Sequence, residues 1–307
     1  MQNTFSESKV IIFDTTMRDG ELTPGVKMDI HQKMNIAMLL EEMRVDVIEV
    51  GYPGAFQKDF DEIFMISKQV KQATICGLSS SKPEEIASVA LAIKPAIRGR
   101  INVYTPVNLK NQSEVSEEHT LEVIRDSVAL ARNYCADVEW SAFDAVRSEQ
   151  DFLCKAVETA IKSGATTVCI PDSLGTSSPE EFSRLIEMVV NRVPNIDQVA
   201  IAVHCHNDLG LAVENSIASL TCGVRQIECA INGLGARKGN ADLGEVVSAI
   251  LQGRRDANAE CLNYRVDIDT SLLSAASELV AQVTGIMRSP HSQSSSAPNA
   301  FSESRLC

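Results

Sequence analysis

Eight times in succession along this chain, a short run rich in β-branched residues is followed by a longer segment with helical periodicity. The runs that read as strands cover residues 10–14, 47–50, 73–78, 100–105, 137–142, 166–171, 199–206 and 226–232. Those that read as helices cover 30–43, 59–71, 83–93, 115–134, 149–162, 179–192, 211–222 and 241–251. Several helices carry clear start signals: Ser178-Pro179-Glu180-Glu181 puts a cap, a first-turn proline and two acids in order. Largely apolar strands separated by single helices form parallel sheets covered on both faces, and eight such units predict a closed (β/α)8 TIM barrel. An open doubly wound sheet is the competing architecture. Eight regular units and the lack of a G-x-G-x-x-G turn after the first strand argue against it.

The barrel is expected to occupy residues 1–252. Beyond it, 253–265 reads as a polar linker, 270–284 as one more amphipathic helix and 289–304 as a Ser-rich tail. This is too little to bury a core of its own, so the expectation is a short C-terminal helical extension and no second domain. The formal net charge of −13 argues against a nucleic-acid or anionic-membrane surface, which would need a basic patch. Nine cysteines, an odd number with no C-x-x-C pair, read as reduced thiols in a cytoplasmic protein. Residues 1–8 lack the basic start and apolar run of a signal peptide, and no apolar stretch reaches membrane-spanning length.

In a barrel of this kind the chemistry sits at the C-terminal ends of the strands. Polar residues collect there: Arg18 and Asp19, Glu49 and Tyr52, Thr105, residues 141–144, Asp172 and Ser173, His204 and His206, and the loop 232–240. Two of the five histidines stand at i and i+2 in His204-Cys205-His206, so on a strand they share a face. A shared metal ion is the simplest explanation; two core histidines bonded to backbone are the alternative. Asp19 offers an anionic ligand at the first strand's mouth, although Asp19-Gly20 is also a good turn dipeptide. Asn240 lies in the glycine-rich loop after the eighth strand, which neighbours the first in a closed barrel. Two imidazoles with oxygen ligands suit a catalytic divalent ion, Zn2+, Mn2+ or Mg2+, acting as a Lewis acid on a carbonyl. Arg18 beside it would stabilise an enolate or alkoxide.

Three separated motifs in order carry a family resemblance: Phe13-Asp14-Thr15-Thr16-Met17-Arg18-Asp19-Gly20-Glu21, His204-Cys205-His206-Asn207-Asp208-Leu209-Gly210, and the loop 232–240. Over residues 9–252 the chain resembles the metal-dependent, Claisen-condensing TIM-barrel family of the 2-isopropylmalate and homocitrate synthases, which includes the hydroxymethylglutaryl-CoA lyase branch. Glu139-Trp140-Ser141, Arg147-Ser148-Glu149, Ile170-Pro171-Asp172-Ser173 and Pro194-Asn195-Ile196 bring it nearest to the 2-isopropylmalate synthases. The resemblance implies metal ligation by Asp19, His204, His206 and Asn240. It implies Arg18 at the reacting carbonyl of a 2-oxo acid, with Ser173, Asn108 and Ser141 on the substrate side. Acetyl-CoA would be the second substrate, its methyl joined to the 2-oxo acid before the thioester is hydrolysed. A homodimer is implied as well.

The chain departs from the family pattern around the substrate. The usual Gln after Asp-Gly-Glu is Leu22, and the expected Ser-x-Glu-Asp of the fifth strand is Ser141-Ala142-Phe143-Asp144. Asn108 stands in the region where a substrate-side His is usual, and Gly235-Ala236-Arg237 replaces Gly-Glu-Arg. Asn299-Ala300-Phe301 resembles the start of the helical subdomain that follows the barrel in the synthases. Three readings stay open: an acyl-CoA-dependent synthase, a metal-dependent lyase or aldolase, and a catalytically impaired paralogue.

Overall fold

The computed structural model describes residues 7–110, 115–253 and 264–287. Eight parallel strands close into a barrel: β1 (Ile11–Asp14), β2 (Val47–Gly51), β3 (Thr74–Ser80), β4 (Gly99–Pro106), β5 (Val138–Phe143), β6 (Thr167–Asp172), β7 (Ala200–Cys205) and β8 (Gln226–Cys229). Closure is made by β8 against β1, with Ile11 opposite Gln226 and Asp14 opposite Cys229. One helix follows each strand: α1 (Ile30–Glu42), α2 (Gln57–Gln69), α3 (Pro83–Ala92), α4 (Glu117–Tyr134), α5 (Gln150–Lys162), α6 (Pro179–Arg192), α7 (Ala212–Leu220) and α8 (Leu243–Gly253). A further helix, α9 (Leu273–Thr284), is the C-terminal extension. The start signal at Ser178 operates as a capping box: its hydroxyl accepts from the Glu181 N–H, and the Glu181 carboxylate accepts from the Ser178 N–H.

Strand side chains alternate between two environments. Outward-facing Ile12, Ile48, Ile75, Ile101, Val103, Trp140, Val168, Val203 and Ile227 pack with helix residues such as Leu40, Ile63, Val89, Ile124, Val157, Ile186 and Val246 in one continuous core. The inner face differs. Phe13, Val47 and Cys76 form a separate small apolar cluster. Around it stand buried polar groups, including Glu49, Arg100, Asn102, Glu139, Thr167, Gln226 and Glu228. The barrel therefore holds an apolar plug within a hydrogen-bonded polar lining, which the strands' largely apolar reading does not anticipate.

Most element ends shift by one to three residues from the sequence reading, and three differences bear on the site or the closure of the chain. The eighth strand stops at Cys229 and not at 232, because the chain turns through Ile231–Gly233 with Asn232 at φ 58°. The seventh stops at Cys205, leaving His206 just beyond the strand, in an isolated antiparallel bridge with Asn240. Within the stretch read as a linker, Tyr264–Arg265 pairs in parallel with Ser8–Lys9 to form a two-stranded ribbon at the N-terminal face of the barrel. Residues 254–263 of that stretch, the tail at 289–304 and the Asn299-Ala300-Phe301 motif lie outside the described residues. Among the described residues no helix is long and apolar enough to cross a membrane, and all seven described cysteines are free thiols.

Candidate metal centre and active site

Because β7, β8 and β1 are neighbours in the closed sheet, the loops at their C-terminal ends meet at one side of the mouth. Asp19, His204 and His206 come together there, each offering a ligand atom within 4.8 Å of the others. The imidazole rings lie 5.0 Å apart, inclined at 54°. Asn240 joins them: its Oδ1 is 3.1 Å from His204 Nε2, and its Nδ2 donates to Asp19 Oδ2 at 2.6 Å and to the Leu234 carbonyl at 2.9 Å. Asp19 Oδ2 is 3.9 Å from His204 Nε2. The backbone is drawn tight around this group. A Cβ on Gly235 would stand 2.5 Å from Asn240 Nδ2 and 3.0 Å from Asp19 Oδ2, so only glycine leaves room.

The donor set fits a divalent cation. With Nδ1 engaged by Glu228, His204 Nε2 and Asn240 Oδ1 face each other as lone-pair groups at 3.1 Å, with the Asp19 carboxylate 3.9 Å from Nε2, an arrangement that needs a positive centre, either a proton or a metal ion. His206 Nδ1 is buried without a hydrogen-bond partner, which is costly unless the ring serves as a ligand. Burial pushes the Asp19 carboxyl up, but Arg18 and the two imidazoles outweigh it and hold it at about 2, so it is an anion at neutral pH. Burial, and then the neighbouring His204, lower His206 to about 4, so its ring is neutral and able to ligate.

A second layer of side chains orients the first. Glu228 of β8 accepts from His204 Nδ1 at 2.7 Å, which leaves Nε2 facing the site. Burial works against the Glu228 anion, but the hydrogen bond and charge of His204 outweigh it and hold Glu228 low. Next to it, burial and then the Glu228 charge push the Glu139 carboxyl well above the usual range. Arg18 is clamped from two sides, its Nε on Glu49 Oε2 at 2.6 Å and its Nη1 on Asp19 Oδ1 at 2.7 Å. Those two carboxylates leave Nη2 unused. From Glu49 a chain of bonds crosses the floor of the mouth: Asn102 Nδ2 donates to Glu49 at 3.3 Å, and Ser141 Oγ donates to Asn102 at 2.8 Å. The sequence reading singles out Ser141 and notes Glu49, takes Glu139 only as part of a family motif, and passes over Asn102 and Glu228.

A family model described as HMGL-like matches residues 9–280, most of the chain. The chain belongs to the HMGL-like family. It is 48% identical over 281 residues to a 2-isopropylmalate synthase of Rhodopseudomonas palustris (strain TIE-1), a match covering 91% of this chain and 53% of that protein. A 2-isopropylmalate synthase of Bradyrhizobium sp. (strain ORS 278) is 47% identical over the same length and shares. The chain thus spans about half the length of these relatives. Among solved structures, an HMG-CoA lyase from Brucella melitensis superposes with a TM-score of 0.73 at 17% identity, covering 91% of this chain and 99% of that one. At that identity the likeness is one of fold.

Two further candidate residues of this HMGL-like barrel, Ser173 and Asn108, are bonded to Asp144 beyond the end of β5. Ser173 Oγ accepts from the Asp144 N–H at 3.0 Å, and Asn108 Nδ2 donates to Asp144 Oδ2 at 2.8 Å. Asp144 itself has left the strand, at φ 65°, and its carboxylate takes the Arg147 guanidinium. It does not stand in for the carboxylate that Phe143 replaces. Arg237 holds Asp208 through two bonds of 2.9 and 2.8 Å and the Ser173 carbonyl at 2.9 Å, which ties together the loops after β6, β7 and β8. Leu22 and Phe143 are about half exposed at the rim.

Proposed function

We propose that this chain is the catalytic barrel of a 2-isopropylmalate synthase-like acyltransferase, condensing acetyl-CoA with a 2-oxo acid. What supports the reading is the convergence of Asp19, His204, His206 and Asn240 beside a doubly clamped Arg18, in a chain nearly half identical to synthases of that name. In the reaction the acetyl methyl carbon bonds to the keto carbon of the 2-oxo acid. Water then cleaves the thioester, releasing CoA thiol and leaving a 2-hydroxy diacid.

Asp19, His204, His206 and Asn240 would hold a divalent ion, Mn2+, Zn2+ or Mg2+, which when bound supplies Lewis acidity towards a carbonyl oxygen. Arg18, held by Glu49 and Asp19, presents Nη2 to the keto oxygen and stabilises the negative charge that develops on it as the carbon–carbon bond forms. Glu228 fixes the His204 ring so that Nε2 faces the ligands. Ser141 and Asn102 supply short polar groups on the floor beside the 2-oxo acid, while Ser173 and Asn108 shape the loop after β5 through Asp144. A cytoplasmic homodimer goes with this reading by family resemblance.

The purified chain with Mn2+, acetyl-CoA and a panel of 2-oxo acids should release free CoA thiol, and His204→Ala should abolish that release. Absence of CoA with every 2-oxo acid would overturn the reading. Cleavage of a hydroxy acid to pyruvate or acetoacetate in its place would mark a lyase.

A further inference from the structure

The mouth of the barrel is chemically lopsided. The cation ligands belong to β1, β7 and β8 and their loops, whereas β4 and β5 lie four strands round from β8 and β1 and face them across the opening. On this far side the inner-face positions turn aromatic at the rim. Side chains two apart on a strand share a face. Tyr104 stands one layer above Asn102, which reaches Glu49, and Phe143 stands one layer above Ser141, which reaches Asn102, so both rings belong to the inner face. Their centroids are 6.1 Å apart with the planes at 58°. Tyr52, after β2, meets Tyr104 edge-on at 6.1 Å and 85°. The phenol ends are occupied with each other and with Glu85: Tyr52 Oη donates to Glu85 Oε2 at 2.6 Å, and the two phenol oxygens are 3.3 Å apart. Phe143, a residue 49% exposed, closes the row. A half-wet ring beside a second ring is apolar surface that a ligand can cover with matching quadrupole geometry.

We propose that Tyr52, Tyr104 and Phe143 form a side-chain subsite that makes this barrel selective for 2-oxo acids bearing an aromatic side chain over those with a small branched aliphatic one. The inference rests on the 2-oxo acid reading above. With the carboxylate and keto oxygen drawn to Arg18 and the cation ligands, the third substituent of the keto carbon points away from β1, β7 and β8, towards β4 and β5. Phe143 sits at the rim, above Ser141, leaving the floor beneath it to short polar side chains. An aromatic substituent arriving there packs against Phe143 in a tilted or offset pair, whereas an isopropyl group offers only area. The carboxylate expected at this position would have kept the far wall polar; the ring makes it apolar.

Calorimetric titration of the Mg2+-loaded chain with phenylpyruvate and with 2-oxoisovalerate tests this directly, independently of turnover. The expected result is about tenfold tighter binding of phenylpyruvate, the order of one aromatic pair. In Phe143→Ala and Phe143→Leu, the second of which keeps an apolar side chain, the ratio should fall to within about twofold. Equal affinities, or a preference for 2-oxoisovalerate, overturn the proposal. The two readings fail separately. CoA release with 2-oxoisovalerate but not phenylpyruvate removes the selectivity and leaves the condensation. An aromatic binding preference without CoA release from any 2-oxo acid removes the condensation and leaves the subsite. Binding of neither compound removes both.

Discussion

Glu228 determines which nitrogen of His204 is free to ligate, because it occupies the other one at 2.7 Å. Partners of this kind commonly contribute 10–100-fold to metal affinity. Glu228→Gln keeps the shape and removes the anion, and should weaken Mn2+ binding by about that factor in a calorimetric titration, while the melting temperature of the metal-free protein changes little. Asp14, at the end of β1, gives a different prediction. Burial raises its carboxyl from 3.8 to about 7, against two hydrogen bonds from Thr16. Between those values the folded chain holds a proton that the unfolded chain has released, so stability falls as pH rises through that window. Relative to Asp14→Asn, which does not titrate, the native protein should lose on the order of a few kcal/mol between about pH 4 and pH 7. Urea midpoints of both proteins at each pH measure this, and a flat difference would contradict it. The residues legible in the sequence are those with a local signature: the i, i+2 histidines, and Arg18-Asp19 after a strand. Glu228 and Glu139 are single acids inside apolar runs. The alternation in Val138-Glu139-Trp140-Ser141 and Gln226-Ile227-Glu228-Cys229 carries the signal that they face inwards, but only once a closed barrel makes that face a site.

Elements were readable where a periodic run meets a chemical stop. The start of α6 at Pro179 follows from the cap at Ser178 and the proline itself. The end of β8 is not readable, because Ala230 and Ile231 prolong the apolar run and only tertiary pairing, Ala230 with Asp242, redirects the chain; at β7 the reading overshoots by one residue, His206, which pairs with Asn240 outside the strand. The loop after β8 also anchors α9. Asn232 Nδ2 donates to the carbonyls of Ser277 and Ile286, and Ser277 Oγ donates back to Asn232 Oδ1. Asn232 is also a side chain that tolerates its left-handed φ. Asn232→Ala is therefore expected to cost about 1–3 kcal/mol. It should raise amide hydrogen exchange in α9 more than in α5, which hydrogen-exchange mass spectrometry resolves; equal protection of the two helices would show that α9 is held by other contacts.

At the scale of the whole barrel, the sequence conveys closure, through eight repeating units, but not the character of the interior. That interior is held by Arg100, whose Nη1 donates to Glu139 at 2.9 Å and to Gln226 at 2.8 Å, with Asp137 3.0 Å from its Nε. It spans β4, β5 and β8, so it braces the cylinder across its width. Removing this buried cation leaves the carboxyl, carboxylate and amide groups that accept from it without their donor, and Arg100→Met should cost about 3–5 kcal/mol in urea denaturation, with a loss below about 1 kcal/mol ruling out a bracing role. The ribbon of Ser8–Lys9 with Tyr264–Arg265 has a different consequence. It staples the segment leading into β1 to the one leading towards α9, on the face of the barrel remote from the ligands. A hoop fastened at its base can be gripped there, by a surface tether or a fluorescent tag, and report its own unfolding while the chemistry at the opposite rim proceeds undisturbed.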